Sequence, residues 1–408
     1  MIRSFISSIF QRRHFWRHAT FGEIAELYYS RFLRIFALNL VSMFMSVYLF
    51  KLGYSILFIM VYLTCYFALK VPLAVMAALY TARFGPKHAI LVANLAYIPA
   101  LVFFSFIPHP GASHAFIVLV GFGIFQAIGA VFYDYAYQVD FSKVKHSEHA
   151  GKELGFMHIV EKTGSILAPL AGGFIASLFG PIPAIIAAAI LFAVAALPLL
   201  RSAEPTRTHQ KIRLRGFPWR TTWSSMVAQT GIGVDNVTSS TLWSLFLATV
   251  IFSTQGEAIY ILLGALSALG MCVAFVSAFV FGRLIDRKRG HLLLRYGVLF
   301  NSLAHLLRPL VNSPVAAAGV SITSQVSTTA YIMAYTRGIF DVADYSGFRL
   351  TYLLGNEIMI NIGSALLLGI MAVLLMLVGE PYAFTIAFVC AAAYTLIIGM
   401  PRFAIYRR

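Results

Sequence analysis

Charged side chains are scarce in this sequence. Lys, Arg, Asp and Glu together make up 11% of its 408 residues, whereas hydrophobic residues make up 60%. Soluble domains carry about 25% charged residues, so this composition excludes a water-soluble globular protein. The chain therefore has to be divided among membrane-spanning helices of about 20 apolar residues each.

Acidic residues are the scarcer of the two charged classes, and the formal net charge is +16. An excess of basic residues is also typical of proteins that bind nucleic acids. Here, however, the basic residues gather at alternate ends of apolar runs, as the cytoplasmic bias of positive charge in membrane proteins requires. We therefore expect a lipid bilayer, and no nucleic acid, as the partner of this charge.

Cysteine and catalytic motifs are also rare. Cys65, Cys272 and Cys390 lie in apolar runs without metal-ligand spacing, so we expect small core residues rather than a metal site. The sequence contains no nucleophile motif, phosphate-binding loop or His/Cys cluster. We expect no enzymatic activity, no cofactor and no ATP-driven step, and we expect a monomer that transports a small molecule with a proton or another coupling ion.

Apolar runs are the dominant feature of the chain. They predict twelve spans near 31–51, 54–81, 88–107, 114–138, 152–179, 182–200, 223–252, 257–282, 290–311, 314–336, 350–378 and 381–401. A polar stretch separates the first six from the last six. The predicted parts are a basic segment 1–30, a bundle 31–200, a linker 201–222, a bundle 223–401 and a tail 402–408.

The distribution of positive charge predicts the orientation. All of the 31 basic residues except Lys51, Lys70, Lys162 and Arg308 lie at the amino terminus, in the loops after even-numbered spans, or at the carboxyl terminus. Both termini are therefore predicted to be cytoplasmic, in an inner or plasma membrane. The first twenty residues are predicted to form either an interfacial amphipathic helix or a disordered basic tail.

Two loops carry related charged motifs. The loop after the second span contains Ala78, Ala82 and Arg83, and the loop after the eighth span contains Asp286 and Arg287. The two halves also match weakly elsewhere, because Glu161 in the fifth span aligns with Glu357 in the eleventh. Such matches suggest an internal duplication of six spans.

The fifth span carries a stripe of small residues. Gly164, Ala168 and Gly172 are spaced by four and share one helical face, which lets another helix approach closely in lipid. Pro169 removes a backbone hydrogen bond and can bend the helix, and Gly173 follows. Two interpretations stay open, namely a pivot between the halves and ordinary tight packing.

These features together resemble the major facilitator superfamily over essentially the whole chain. The fifth-span stripe is similar to the antiporter signature of its export branches. The two loops are similar to its glycine–aspartate–arginine–glycine signature. In the loop after the second span, Ala78 and Ala82 replace the usual glycine and aspartate. The resemblance implies an all-α membrane protein with twelve transmembrane helices in two pseudo-symmetric six-helix bundles. It also implies alternating access by rocking of the halves, with Arg83, Asp286 and Arg287 as candidate gate residues.

Ionisable residues inside apolar spans are candidates for function, because burying them in a membrane is unfavourable. Asp134, Glu161 and Lys162 lie toward the cytoplasmic ends of the fourth and fifth spans. They predict either a proton or substrate site or a structural ion pair that acts as a cytoplasmic latch. Asp235 and Asn236 lie deeper, near the bilayer midplane, where either a substrate or proton role or a buried structural carboxylate is expected.

Lys70 and Glu357 are the remaining charged candidates. Lys70 lies in the second span and Glu357 in the eleventh, and the resembled fold places these spans opposite one another. They predict either an interdomain pair that breaks during rocking or a snorkelling lysine with an unrelated glutamate. Gln325 belongs to an unusually polar stretch of the tenth span, which fits either a cavity wall or hydroxyls bonded to their own helix.

Three functions fit these observations. The first is secondary active transport by alternating access, in the form of proton-coupled efflux of a small amphipathic or drug-like compound, with Asp235 as the first candidate for the proton. The second is uptake of a small polar solute. The third, from a different class, is a non-transporting membrane scaffold or sensor with a transporter fold.

Overall fold

The computed structural model describes residues 23–41, 45–144, 150–179, 181–200, 212–253 and 258–406. The amino-terminal segment, for which an interfacial helix or a basic tail is predicted, lies outside these ranges, as does most of the linker. Within them the regular structure is entirely helical.

Twelve helical spans follow one another in the described part of the chain. Span 1 comprises Glu23–Val41 and Met45–Lys51, and spans 2 to 6 are Ile56–Phe84, Pro86–Ser105, Ala115–Val144, Ala150–Phe179 and Pro181–Ala195. Span 7 comprises the α-helix Trp219–Val237, the π-helical turn Thr238–Leu242, the α-helix Trp243–Phe246 and the π-helical turn Leu247–Ile251. Spans 8 to 12 are Ala258–Asp286, Gly290–Leu307, Pro314–Ser346, Arg349–Val378 and Glu380–Thr395.

Eight of these spans are long and apolar enough to cross a membrane by length and composition. Spans 7, 9 and 10 carry polar side chains along their lengths, among them Asp235, Asn301 and Gln325. Because polar groups inside a membrane protein face other helices or a cavity, a functional site is expected along these three spans.

Several helices extend beyond the apolar runs that predict them. Span 1 begins at Glu23 rather than at 31, span 4 ends at Val144 rather than at 138, and span 10 ends at Ser346 rather than at 336. The extra turns are polar, and they remain helical because backbone hydrogen bonds continue past the apolar segment. As a result, Arg31 and Arg34 lie two or more turns inside span 1.

The two halves have corresponding helix contacts. In the first half, span 1 packs on spans 5 and 6, and span 4 packs on spans 2 and 3. In the second half, span 7 packs on spans 11 and 12, and span 10 packs on spans 8 and 9. The most extensive contacts between the halves join span 2 to span 11 and span 5 to span 8. They confirm the expectation that spans 2 and 11 face each other.

The halves are in contact at the end of the bundle that carries the linker, which we call the linker side. The Tyr135 hydroxyl of span 4 donates to the Leu350 carbonyl of span 11 over 3.0 Å. Phe141 and Phe340 have ring centroids 5.6 Å apart across the same boundary. An added Cβ on Gly151 in span 5 would lie 2.7 Å from the Gly282 carbonyl in span 8, so these two helices approach closely.

The cysteines do not lie in the core as predicted. Cys65, Cys272 and Cys390 are free and exposed on the outside of the helix bundle. The prediction was wrong because an apolar residue of a membrane helix faces lipid as readily as it faces another helix.

Candidate functional site

Asp235 is the most buried acid among the candidates, with 1% of its surface exposed. It lies midway along span 7, which runs from Trp219 to Ile251. The Asp235 Oδ1 atom lies 2.8 Å from His305 Nε2 and accepts a hydrogen bond from Asn301 Nδ2 over 2.8 Å. Both partners are on span 9, one helical turn apart, so a single helix face presents them to the carboxylate.

Hydroxyl groups complete the surroundings of Asp235. Tyr331 of span 10 donates to Asp235 Oδ2, and Thr328 approaches the same oxygen at 3.4 Å. Ser239, in the first π-helical turn of span 7, donates to Oδ1 over 3.2 Å. The carboxylate is therefore held by neutral donors and one histidine, an arrangement that can stabilise a negative charge or share a proton with His305.

Arg308 lies beside this cluster, between spans 9 and 10, and is 1% exposed. Its Nη2 atom donates to Ser239 Oγ over 2.9 Å and to Ser324 Oγ over 3.2 Å. Its guanidinium lies 5.2 Å from the centre of the Trp243 ring. Ser239 thus connects Asp235 to Arg308, and two opposite charges are linked through one hydroxyl.

A small cavity of about 60 Å³ adjoins Arg308. Its walls come from spans 7, 8 and 10 and from Arg308 itself. The lining residues are Ser239, Trp243, Ser244, Leu247, Leu263, Leu266, Ser267, Arg308, Ser321, Ser324 and Gln325. Part of the polar stretch of span 10 therefore lines a cavity. Thr323, Ser327 and Thr329 of the same stretch donate to carbonyls of their own helix, so each of the two interpretations holds for some of these residues.

Gln325 also contacts the other half of the molecule. The Lys162 Nζ atom of span 5 donates to Gln325 Oε1 over 3.4 Å. Lys162 therefore belongs to the boundary between the halves and reaches the residue that lines the Arg308 cavity.

Glu161 has a different partner from the one that the sequence indicated. It accepts from Arg31 Nε of span 1 over 2.8 Å and lies 3.1 Å from His158 Nδ1. Asp134 forms no hydrogen bond or ion pair in the described part of the chain, although it lies within electrostatic reach of Arg31 and Arg34. Asp134, Glu161 and Lys162 therefore do not form one ion pair or latch.

Arg34 joins three helices of the first half. It donates to Asn94 Oδ1 of span 3 over 2.5 Å and to the Gly129 carbonyl of span 4 over 2.8 Å. Its guanidinium also lies 3.8 Å from the centre of the Tyr133 ring. A buried charge held in this way fixes the relative positions of spans 1, 3 and 4.

Lys70 and Glu357 are both buried where spans 2 and 11 meet. They interact electrostatically, and Asp134 contributes to the field at Glu357. Within the described residues no direct ion pair joins them. Glu357 accepts instead from Asn361 over 3.0 Å, and Lys70 lies 5.3 Å from the centre of the Phe67 ring.

Among the gate candidates, Asp286 makes a contact between the halves. The Gly151 amide at the start of span 5 donates to Asp286 Oδ1 of span 8 over 2.9 Å. A carboxylate there satisfies a free amide at a helix amino terminus. Arg83 and Arg287 are exposed, and Ala82 in the first half has no carboxylate for the corresponding contact.

The small-residue stripe of span 5 packs within its own half. A Cβ on Gly164 would lie 3.2 Å from Ile35 of span 1, and a Cβ on Gly172 would overlap the backbone at Leu40. Ala168 is buried, and Pro169 and Gly173 lie inside the same continuous helix. The close packing is present, but its partner is span 1, so this face does not itself form the contact between the halves.

Asn236 and Asp235 point in different directions. Asn236 is exposed, whereas Asp235 is sealed inside the second half. Gly231 and Gly233 lie in regular α-helix just before Asp235 and pack against spans 12 and 11. The irregular turn begins at Thr238, and π-helical turns of this kind often occur at functional sites.

A second cavity lies between spans 2 and 11 on the outer side of the helices. It has a volume of about 840 Å³, and its lining is apolar. The lining residues are Ala68, Val71, Pro72, Ile362, Ala365, Leu366, Gly369, Ile370, Val373 and Leu374. In the described part of the chain, no three His, Cys, Asp or Glu side chains converge on one point that would hold a metal ion.

Several residues of the site were missed in the sequence. Arg308 is one of the four basic residues outside the predicted cytoplasmic segments, and that position alone is a usable signal. Arg31 and Arg34 give no such signal, because the apolar run that predicts span 1 starts at residue 31 and both arginines fall at its end. Asn301 and His305 carry a weaker signal. They are two polar residues spaced by four in an apolar helix, and their role becomes clear only from their contacts with Asp235.

The comparison with known families identifies the chain. A sequence profile described as the Major Facilitator Superfamily matches residues 27–352. The chain belongs to the major facilitator superfamily. It is therefore a multi-pass membrane protein and a secondary transporter rather than an enzyme. A comparison with curated protein sequences gives no match.

Solved structures show the same fold at low sequence identity. The E. coli fucose:proton symporter is 17% identical with a TM-score of 0.65, covering 92% of this chain and 97% of the other. A bacterial homologue of the iron transporter ferroportin, in an outward-facing state with soaked iron, is 13% identical with a TM-score of 0.70, covering 94% and 99%. The human organic anion transporter TETRAN is 12% identical with a TM-score of 0.65, covering 94% and 98%.

Proposed function

We propose that this transporter works by alternating access and is coupled to protons that bind at Asp235. The observation that carries the proposal is a carboxylate with 1% exposure midway along a polar span, with His305 Nε2 at 2.8 Å. Intramembrane acids with such partners are typical of proton relays, and transporter sites lie near the midplane.

Protonation of Asp235 changes the charge balance of the second half. Its other partners, Asn301, Thr328, Tyr331 and Ser239, are neutral amides and hydroxyls. Arg308 is linked to it through Ser239. A proton at Asp235 therefore leaves Arg308 with less compensating charge, and the cavity next to Arg308 is where a substrate senses the difference.

For the substrate and direction, we propose export of a small amphipathic or drug-like compound. The resemblance of the fifth-span stripe to export-branch antiporters supports the direction. Apolar walls support the substrate class, because Trp243, Leu247, Leu263 and Leu266 line the cavity at Arg308. The cavity between spans 2 and 11 also has an apolar lining, which suits contact with such a compound.

Uptake of a small polar solute is the second candidate. The hydroxyls of Ser321 and Ser324 in the cavity wall favour it. The E. coli relative with the same fold is named for fucose:proton symport. The direction of proton movement relative to substrate movement distinguishes export from uptake. A proton-coupled exporter exchanges substrate for protons, whereas a symporter moves both in one direction.

A non-transporting scaffold or sensor, the third function considered from the sequence, does not agree with membership of a family of secondary transporters. It predicts that no compound stabilises the purified protein. A thermal-shift screen of metabolites and drugs tests it, and a reproducible rise in melting temperature with one compound excludes a pure scaffold.

We also propose that the protein resides in an inner or plasma membrane with both termini in the cytoplasm. The exposed basic residues Arg83, Arg283, Arg287 and Arg289 on the linker side support this orientation. In this orientation the closed linker side is the cytoplasmic side of the protein. Labelling of single cysteines at position 289 and at position 51 with a membrane-impermeant thiol reagent tests it, because only position 51 reacts in intact cells.

Proton coupling is tested with purified wild-type protein in liposomes. The compound that stabilises the protein most in the thermal-shift screen is applied on one side, and internal pH is followed with a trapped dye. Substrate-dependent proton movement supports the proposal, with its direction assigning export or uptake. Substrate movement at the same rate with and without a pH gradient contradicts proton coupling.

A further inference from the structure

Arg308 is a buried cation whose hydrogen bonds go to two serine hydroxyls. Its Nε and Nη1 atoms have no hydrogen-bond partner, although the side chain is 1% exposed. Within the described residues it forms no direct ion pair. Buried charges are ordinarily paired, because removing an ion from water is unfavourable by several kcal/mol. Unused donors on such a group indicate that an acceptor from outside the chain completes the site.

The cavity beside Arg308 is equipped for an anion. Hydroxyls of Ser239, Ser321 and Ser324 and the amide of Gln325 line it, and none of its described lining residues is acidic. Among the described residues, the carboxylate linked to Arg308 is that of Asp235, which has its own partners and reaches Arg308 through Ser239. A negatively charged group is therefore attracted to the cavity without facing a bare carboxylate.

The size of the cavity limits what enters it. Its volume is about 60 Å³, whereas pockets that hold whole drug-sized ligands measure roughly 300–1,000 Å³. It accommodates a head group of a few atoms. Leu247, Leu263, Leu266 and Trp243 form its apolar wall, so the remainder of the ligand contacts hydrocarbon and an aromatic ring.

A second cation, on the other half, contacts a residue in the wall of this cavity. Lys162 of span 5 donates to Gln325, which lines the cavity. The backbone of Gln325 belongs to span 10 and that of Lys162 to span 5, so a group bound here contacts one half and lies near a charge of the other. Binding and the approach of the halves are thereby linked.

We propose that this cavity binds the carboxylate of a small amphipathic organic acid, with Arg308 as the anchoring cation and Lys162 as a second cation supplied by the other half. The proposal rests on the proposed transport function and specifies its substrate class. It predicts that acids bind and that uncharged compounds of the same shape do not.

The first test uses wild-type protein in lipid nanodiscs and matched pairs of probes. Indole-3-acetate is compared with indole-3-acetamide, and benzoate with benzamide, by isothermal titration at neutral pH. We expect each acid to bind at least about tenfold more tightly than its amide, because a charge-assisted hydrogen bond is lost in the amide. Equal affinities within both pairs overturn the proposal.

The second test uses variants of the two cations. Arg308→Gln is expected to abolish the preference for the acid, and Arg308→Lys to retain part of it. Lys162→Gln is expected to weaken acid binding while leaving amide binding unchanged. The exposed residues Arg215 and Lys152 supply matched controls, Arg215→Gln and Lys152→Gln, which should bind both probes like the wild type.

The outcomes separate this proposal from proton coupling. If Arg308→Gln does not fold, Arg308→Lys and Lys162→Gln still decide, and an unchanged acid preference in both contradicts the proposal. Acid-selective binding without proton movement in liposomes refutes proton coupling and leaves this site intact. Proton-coupled transport of only neutral or cationic compounds refutes this site and leaves proton coupling intact.

Discussion

At the scale of single residues, the site consists of charges that neutral hydroxyls hold apart. Asp235 and Arg308 are each 1% exposed, yet they meet only through Ser239. In the first half, by contrast, Arg31 and Glu161 pair directly at 2.7 Å. A direct pair is a stable structural link, whereas a bridged pair responds when either group gains a proton or a ligand.

Loss of the direct pair should destabilise the first half. Arg31→Gln leaves Glu161 mostly buried with only His158 as a partner, and we expect a loss of about 2 kcal/mol in the free energy of unfolding. The measurement is the melting temperature in detergent. Arg31→Lys should recover part of the loss, and the exposed Arg83→Gln should melt like the wild type; an unchanged melting temperature for Arg31→Gln would show that the pair is not structural.

The acids of the site were accessible to sequence reasoning, and their partners were not. Asp235 and Glu161 are conspicuous because a carboxylate in an apolar helix is rare. Asn301, His305 and Arg31 acquire meaning only from contacts with other helices, which a linear pattern does not contain. The interpretation of Asp134, Glu161 and Lys162 as a structural ion pair meets the same limit. Glu161 pairs with Arg31 instead, since depth in the membrane does not specify which way a side chain points.

At the scale of helices, span 7 combines a rigid part with an irregular one. Its α-helical part packs against span 11 through backbone contact, because Cβ atoms on Gly233 and Gly363 would overlap the backbones at Ile360 and Thr230. The π-helical turn that starts at Thr238 then directs Ser239 toward Arg308. The tightly packed α-helical part before Thr238 and the π-helical turn after it together place Ser239 between Asp235 and Arg308.

Alanine at either packing glycine should therefore separate spans 7 and 11. Because the obstructing atoms belong to the backbone, we expect Gly233→Ala and Gly363→Ala to destabilise the protein by about 1–3 kcal/mol or more. Yield of monodisperse protein and melting temperature report the effect. Gly319→Ala is the matched control, since nothing lies within 4 Å of a Cβ at that helical position; equal behaviour of all three variants would contradict the backbone contact.

At the scale of the whole molecule, the two halves are alike in topology and unlike in detail. Span 8 caps span 5 through Asp286, but span 2 has Ala82 and offers no carboxylate to span 11. The twelve helices, their order and the facing of spans 2 and 11 could be predicted from apolar runs and the family resemblance. The lengths of spans 1, 4 and 10 could not, because polar turns continue a helix without any hydrophobic signal.

Removal of the cap at Asp286 should loosen the linker side. An amino-terminal cap stabilises a helix by about 0.5–2 kcal/mol, so Asp286→Ala should raise the population open at that side by about fivefold. Spin labels on Lys152→Cys and Arg289→Cys, in a background with the three native cysteines replaced by serine, measure the distance between spans 5 and 8. The exposed Asp344→Ala is the control, and a distance distribution for Asp286→Ala equal to that of the control would show that the cap does not hold the halves together.

The central claim is that Asp235 carries the coupling proton. The most direct measurement is substrate-driven proton movement in liposomes that contain Asp235→Asn, compared with the wild type and with Asp344→Asn at an exposed acid. We predict that Asp235→Asn folds, binds the compound that stabilises the wild type, and moves protons at least about tenfold more slowly, because an amide does not exchange a proton with His305. Proton movement by Asp235→Asn at the wild-type rate would contradict the account.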